Sequence, residues 1–128
     1  NCGFSDVHYL LKQLDIYNND WDQVFKAYEI HQKPNGDAIR DMSIENFKVM
    51  CESVADEKFL FKKKVEHIIE NAMPELFRSR YAKVVYSEIP YHIAKKEALK
   101  QSKIIDKLCR GISKPEDVNL ELARELLK

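Results

Sequence analysis

Apolar residues recur along this chain mostly at spacings of three and four, the period of an α-helix that buries one face. The first stripe predicts a helix that ends before the turn-prone pair Asn18-Asn19. It consists of Val7, Leu10, Leu11 and Leu14. Asp20, with Gln23 three residues later, predicts the N-cap of a second helix. The predicted buried face of that helix comprises Trp21, Val24, Phe25 and Tyr28.

The next stretch contains the strongest helix-breaking signal in the chain. Pro34 and the Asn-Gly pair that follows it predict a break or a kink. A third helix is then predicted over about 37–53, and a fourth over about 56–72 that stops before Pro74.

After Arg80 the helical spacing of apolar residues gives way to a different composition. Residues 81–87, YAKVVYS, are rich in β-branched and aromatic residues and predict one short extended segment. Helix is predicted again over 93–108, with Gly111 as its C-terminal cap. Ser113 with Glu116, and then Asn119, predict a final short helix that carries Leu122, Leu126 and Leu127. The predicted fold class is therefore mainly α with one extended segment.

Composition narrows the possible functions. The 128 residues are 45% hydrophobic, enough for one modest domain, and only three are glycine. Lys plus Arg number 21 and Asp plus Glu number 21, so no net charge attracts nucleic acid. Three widely spaced cysteines fit neither a disulfide framework nor a zinc knuckle, which favours a reducing, cytoplasmic compartment. No stretch is apolar enough to span a membrane.

The third predicted helix carries the most informative polar residue. On a helical wheel, Asn46 lies near the centre of an apolar arc that includes Met42, Phe47 and Met50. A buried amide without a partner costs about 1 to 3 kcal/mol. Asn46 is therefore either a hydrogen-bonded core residue or a side chain directed into a ligand pocket.

Other candidate residues are less distinctive. Tyr81 lies at the predicted junction between helix and extended chain, where a tyrosine hydroxyl can face a cleft. Tyr86 and Tyr91 could equally be binding residues, and the sequence pattern does not choose among the three. The four histidines form no metal-ligand pair. GxGxxG, P-loop and GxSxG motifs are absent from the sequence, and no cysteine has an activating base nearby in sequence. No catalytic residue and no metal site are predicted.

Six blocks of the sequence follow one another over about residues 1–98: NCGFSD, HQKPNGDAI, IENFKVM, KFLFKKKVEHII, MPELFRSRYAKVVYS and IPYHIA. In this order they resemble the kynurenine 3-monooxygenases, a family of flavin-dependent aromatic hydroxylases, and NCGFSD is similar to the family's NAGFED. Residues 99–128 resemble the soluble tail of bacterial members. Ser5 replaces an acidic residue of the family, and Val49-Met50-Cys51 replaces its Glu-Met-Arg.

The resemblance implies that the chain is the C-terminal part of an FAD-dependent enzyme whose N-terminal portion holds the dinucleotide fold. Residues 1–17 would be the last helix of the FAD-binding domain, 18–110 the helical part that lines the substrate site, and 111–128 a helical tail. Asn1 matches a family asparagine beside the flavin. A helix N-terminus offers free N–H groups to an electron-rich ring edge.

The resemblance also implies roles in substrate binding. Asn46 and Tyr81 match family residues that hold the amino-acid carboxylate of L-kynurenine, and Met50 matches a methionine that lines the pocket. The full-length enzyme would use NADPH and FAD to form 3-hydroxykynurenine in tryptophan degradation, on the route to quinolinate and NAD. This segment alone is expected to be inactive and to fold poorly.

Two other functions are compatible with the sequence. One is a flavin hydroxylase of another aromatic acid, and the other is a non-catalytic helical interaction module. An animal-like member would be located at the mitochondrial outer membrane instead of the cytoplasm.

Overall fold

The computed structural model describes residues 2–53 and 56–128, and these ranges contain helices and no strand. The α-helices are α1 (Cys2–Ile16), α2 (Trp21–Lys48), α3 (Glu57–Ala72), α4 (Arg80–Tyr86), α5 (Tyr91–Leu108) and α6 (Leu120–Leu127). A π-helix, Val49–Ser53, extends α2, and a 3₁₀ turn, Pro115–Asp117, precedes α6. The mainly α prediction is confirmed. No helix in the described ranges is long and apolar enough to cross a membrane.

Most predicted helix boundaries are confirmed because their capping side chains make the expected hydrogen bonds. The Asp20 carboxylate accepts from the Gln23 backbone N–H at 3.3 Å and from its side-chain amide at 2.7 Å. Asp56 caps α3, and Asn119 accepts from the Leu122 N–H at 2.9 Å to begin α6. Cys109 is the C-cap of α5, and Gly111 follows it with a left-handed φ of 80°.

The predicted break at Pro34 is wrong, because the 28-residue helix α2 contains this proline in its interior. The residues around the proline are held by buried polar contacts that a periodicity pattern does not reveal. The Asn35 amide donates to Gln32 at 2.9 Å, and its oxygen lies 2.8 Å from the ring nitrogen Nδ1 of His92 in α5. Gln32 donates to the backbone carbonyl of Ser5 in α1 at 3.4 Å. Contacts with two neighbouring helices thus support the helix across the proline.

The predicted extended segment over 81–87 is also wrong, since Arg80–Tyr86 is α4. β-Propensity mainly reflects how a side chain packs on a half-buried sheet, and the described chain offers no strand to pair with. A local signal favours helix here. The Ser79 hydroxyl accepts from the Ala82 N–H at 3.3 Å, which is an N-cap, and only Ser87 returns to extended backbone.

The largest hydrophobic core lies between α3, α5 and α6. Its buried residues are Val65, Ile69, Met73, Phe77, Ile105, Leu108, Val118 and Ala123. Full burial of a side chain such as Ile69 contributes about 1.5 to 3 kcal/mol.

The apolar stripes of α1 and α2 are less buried than predicted. In α2, Val24 is fully buried, whereas Trp21 and Phe25 are exposed. In α1, Val7 and Leu11 are exposed too. These two helices therefore present apolar surface that the described chain does not cover.

Candidate functional site

The C-terminal end of α2, the start of α3 and all of α4 surround a cleft of about 380 Å³. Its walls are mainly apolar with a few polar groups, and its volume is in the range of small-molecule sites. The lining residues are Ile39, Met42, Ser43, Asn46, Val49, Phe59, Lys63, Ser79, Arg80, Tyr81, Val84 and Val85. We refer to this feature as the α2–α4 cleft.

Asn46 lies in the last turn of α2, just before the π-helix, and its side chain is exposed. The core-residue alternative for Asn46 is therefore wrong. Its amide nitrogen Nδ2 lies 3.6 Å from the Met50 sulfur Sδ, a weak acceptor that leaves most of the amide's capacity for a ligand. Short π-helical turns occur often at functional sites, and Val49, the first residue of this one, lines the cleft.

Tyr81 enters the same cleft from the first turn of α4. Its side chain is 68% exposed, and its ring packs edge-on against Tyr86 with centroids 6.2 Å apart. The backbone before it is fixed by the Ser79 N–H, which donates to the Glu70 carboxylate of α3 at 2.8 Å. Tyr81 therefore lines the cleft with a largely exposed side chain, next to backbone that is anchored to α3 through Ser79.

The remaining predicted site residues are placed differently. Met50 lies beside the cleft rather than on its wall, and it is 66% exposed. Asn1 lies outside the described residues, so its assignment to the flavin stays a prediction. The structure brings Asn46 and Tyr81 together across 35 residues of sequence; their roles, and that of Met50, stay predictions.

Sequence reasoning missed the contacts that hold α4. The buried Lys83 donates to Glu97 at 2.7 Å and to Gln101 at 3.1 Å, both on α5. Arg80 donates to Glu45 of α2 at 2.6 Å. Neither pair has a signal in the sequence, because its partners lie 14 to 35 residues apart.

The electrostatics of the cleft are set by paired charges. Lys63 lies 2.5 Å from Glu66, and Arg80 lies 2.6 Å from Glu45, so both cations that line the cleft have a carboxylate partner. Asp41, one turn before Glu45, accepts from Lys95 of α5, and this hydrogen bond, with a further one from Arg40, lowers the pKa of its carboxyl. Asp41 therefore stays ionised at neutral pH.

The chemistry available in the cleft is recognition rather than bond breaking. An amide N–H and a phenol O–H face a mainly apolar space with cations nearby, which suits an aromatic molecule that carries a carboxylate. In residues 2–53 and 56–128, no group of three or more His, Cys, Asp or Glu side chains is placed to hold a metal ion.

A second cleft of about 280 Å³ lies between α3 and α5 and shares Arg80 and Lys63 with the first. Its charged residues bind one another, as in Lys62, which donates to Asp106 at 2.7 Å and to Ser102 at 2.9 Å. The α2–α4 cleft is the better candidate site, because it is larger and is lined by Asn46 and Tyr81, whose side chains are exposed.

Comparison with known proteins identifies relatives of the whole chain. It is 42% identical over 128 residues to "Kynurenine 3-monooxygenase" of Myxococcus xanthus, covering 100% of this chain and 27% of the relative. The protein of the same name from Dictyostelium discoideum is 39% identical over 113 residues, covering 87% and 25%. That of Christiangramia forsetii is 36% identical over 110 residues, covering 86% and 25%. The chain thus spans about a quarter of the length of these relatives. No protein-family model matches it.

Proposed function

Because the chain is a sequence relative of the kynurenine 3-monooxygenases along its whole length, we propose that it is the C-terminal part of such an enzyme. The full-length protein would be an FAD-dependent, NADPH-consuming monooxygenase that hydroxylates L-kynurenine to 3-hydroxykynurenine. In this proposal, residues 1–17 complete the FAD-binding domain, 18–110 form one side of the substrate site, and 111–128 form a tail.

The observation that carries the proposal is that Asn46 and Tyr81 line one cleft. Both side chains donate hydrogen bonds, and a carboxylate only accepts them. Each such bond to a charged group contributes about 1.5 to 3 kcal/mol. The two donors would hold the amino-acid carboxylate of kynurenine, while apolar residues such as Met42, Val84 and Val85 contact the rest of the molecule.

The first turn of α1 is chemically suited to approach a flavin. It carries no acidic side chain of its own, although the Asp6 carboxylate in the next turn lies 3.8 Å from the Cys2 sulfur, and a helix N-terminus carries a partial positive charge. Phe4, in the same turn, is 83% exposed and is available to pack against the rest of the enzyme. Bound FAD, reduced by NADPH, would supply the oxygen-transfer chemistry. The residues of this segment would bind and orient the substrate and exclude water.

The test uses the full-length protein with NADPH in air. We expect NADPH consumption to increase when L-kynurenine is added, with formation of 3-hydroxykynurenine detected by mass spectrometry. Anthranilate and 4-hydroxybenzoate serve as competing substrates. Greater stimulation by either of them would show a flavin hydroxylase of another aromatic acid, and no stimulation by any of the three would contradict the enzyme proposal.

A further inference from the structure

One ion pair joins the residues that immediately precede the two proposed carboxylate donors. Glu45 precedes Asn46 on α2, and Arg80 precedes Tyr81 on α4. The Arg80 nitrogen Nη1 lies 2.6 Å from the Glu45 oxygen Oε2, and the two side chains are only 34% and 44% exposed. Arg80 lines the α2–α4 cleft together with both donors, whereas Glu45 lines the neighbouring cleft between α3 and α5.

Helix α4 depends on such contacts for its position. It has only seven residues, too few for a helix that is stable by itself in water. Its other polar contacts join it to α5 and α3 instead of α2. Lys83 donates to Glu97 on α5, and the Ser79 N–H donates to Glu70 on α3. Within the described ranges, Arg80 to Glu45 is the side-chain hydrogen bond that joins α4 to α2.

We propose that the Glu45–Arg80 pair is a positioning device that sets the separation between the Asn46 amide and the Tyr81 phenol. Both donors then reach the same carboxylate of the substrate. The inference rests on the proposed function, because it assumes that the α2–α4 cleft binds kynurenine. Glu45 acts here only through Arg80, and Arg80 acts through the backbone of Tyr81.

The test measures KM for kynurenine and kcat in the full-length enzyme carrying E45Q, R80Q or both. Each single change should raise KM about 3- to 10-fold, and kcat should stay within about twofold, because the lost interaction serves ground-state binding. The double variant should be no worse than either single one, because both changes remove the same contact. Additive effects would overturn the inference.

The sign of the E45Q effect separates positioning from direct binding. If Arg80 bound the substrate carboxylate itself, removing its partner Glu45 would free the guanidinium and lower KM. A lowered KM in E45Q would therefore overturn the inference.

A matched control pair lies one turn away. Asp41 of α2 and Lys95 of α5 are 2.8 Å apart and similarly shielded, but they do not adjoin Asn46 or Tyr81. D41N and K95Q should lower the thermal unfolding midpoint about as much as E45Q does and leave KM within about twofold. Equal KM changes in both pairs would show a merely structural role and contradict the proposal.

A further variant, N46A, separates failure of this inference from failure of the proposed function. If the unmodified enzyme shows no kynurenine-dependent NADPH consumption, the proposed function fails and the inference fails with it. If N46A raises KM but E45Q and R80Q do not, the inference alone is wrong.

Discussion

Asn46 and Tyr81 are held by different means, although they line one cleft. Asn46 extends from the end of a 28-residue helix, so its backbone is fixed by the helix itself. Tyr81 belongs to a seven-residue helix, and its backbone is fixed by the Ser79 cap and by ion pairs with neighbouring helices. The tyrosine is therefore the donor whose placement is more sensitive to changes elsewhere in the chain.

In the proposed full-length enzyme, removing either donor should weaken the binding of kynurenine. Asn46→Ala and Tyr81→Phe each delete one hydrogen bond to a charged group, worth about 1.5 to 3 kcal/mol, or roughly 10- to 150-fold in Kd. Equilibrium titration of the substrate measures the change.

Two substitutions serve as controls for these variants. Tyr86→Phe removes a hydroxyl from the ring that packs against Tyr81, and Asn71→Ala removes an exposed amide from α3 outside the cleft. Both should leave Kd unchanged within about twofold. Unchanged Kd in both Asn46→Ala and Tyr81→Phe would remove the site assignment.

At the scale of the element, α2 shows how tertiary contacts stabilise a helix across a proline. Pro34 has no N–H to donate to the preceding turn, and its ring crowds the carbonyl four residues earlier. The buried side chains of Gln32 and Asn35 form hydrogen bonds with α1 and α5 on either side of it. The resulting unbroken helix carries Asn46 to the cleft.

Replacing Pro34 with Ala should stabilise the protein. Alanine restores the missing donor and removes the steric conflict, so the free energy of unfolding should rise by about 1 to 3 kcal/mol. Denaturant unfolding monitored by circular dichroism measures the change.

Gly36→Ala serves as the matched comparison in the same helix. An added Cβ at position 36 meets nothing within 4 Å, and alanine should stabilise the helix by about 1 kcal/mol. Stabilisation by Gly36→Ala together with destabilisation by Pro34→Ala would show that α2 requires the proline geometry.

At the scale of the whole molecule, packing is uneven. The hydrophobic core joins α3, α5 and α6, whereas α1 and α2 meet through Gln32 and through the Tyr9–His31 ring stack, whose centroids are 3.9 Å apart. Val7, Leu11 and Phe25 remain exposed. Such apolar surface is typical of a face that another part of a protein covers.

This unevenness predicts how the isolated segment behaves. We expect slow amide hydrogen exchange in α3, α5 and α6, where Ile69 and Ile105 are fully buried, and fast exchange in α1. Mass spectrometry of exchanged peptides distinguishes the helices. Equal protection of α1, with one sharp thermal transition, would contradict both this prediction and the expectation of poor folding alone.

In both errors of the sequence-based fold, a local signal was overridden by other contacts. Contacts from distant residues, such as His92 to Asn35, overrode Pro34, and the Ser79 cap together with the contact of Lys83 with Glu97 overrode the β-propensity of YAKVVYS. The N-cap predicted at Asp20 was confirmed, and the helix starts predicted near Asp56 and Asn119 also have capping side chains, because a cap and its target lie in one turn.

The sequence by itself determined the helical class, most helix boundaries and the relationship to the kynurenine 3-monooxygenases, because periodicity, caps and ordered blocks are properties of neighbouring residues. Only the tertiary structure decided that α2 is continuous, that α4 is helical and that Asn46 and Tyr81 share a cleft. It also revealed the Glu45–Arg80 pair. These features depend on contacts between residues 14 to 57 positions apart, and hydrophobic periodicity does not reveal which distant residues meet.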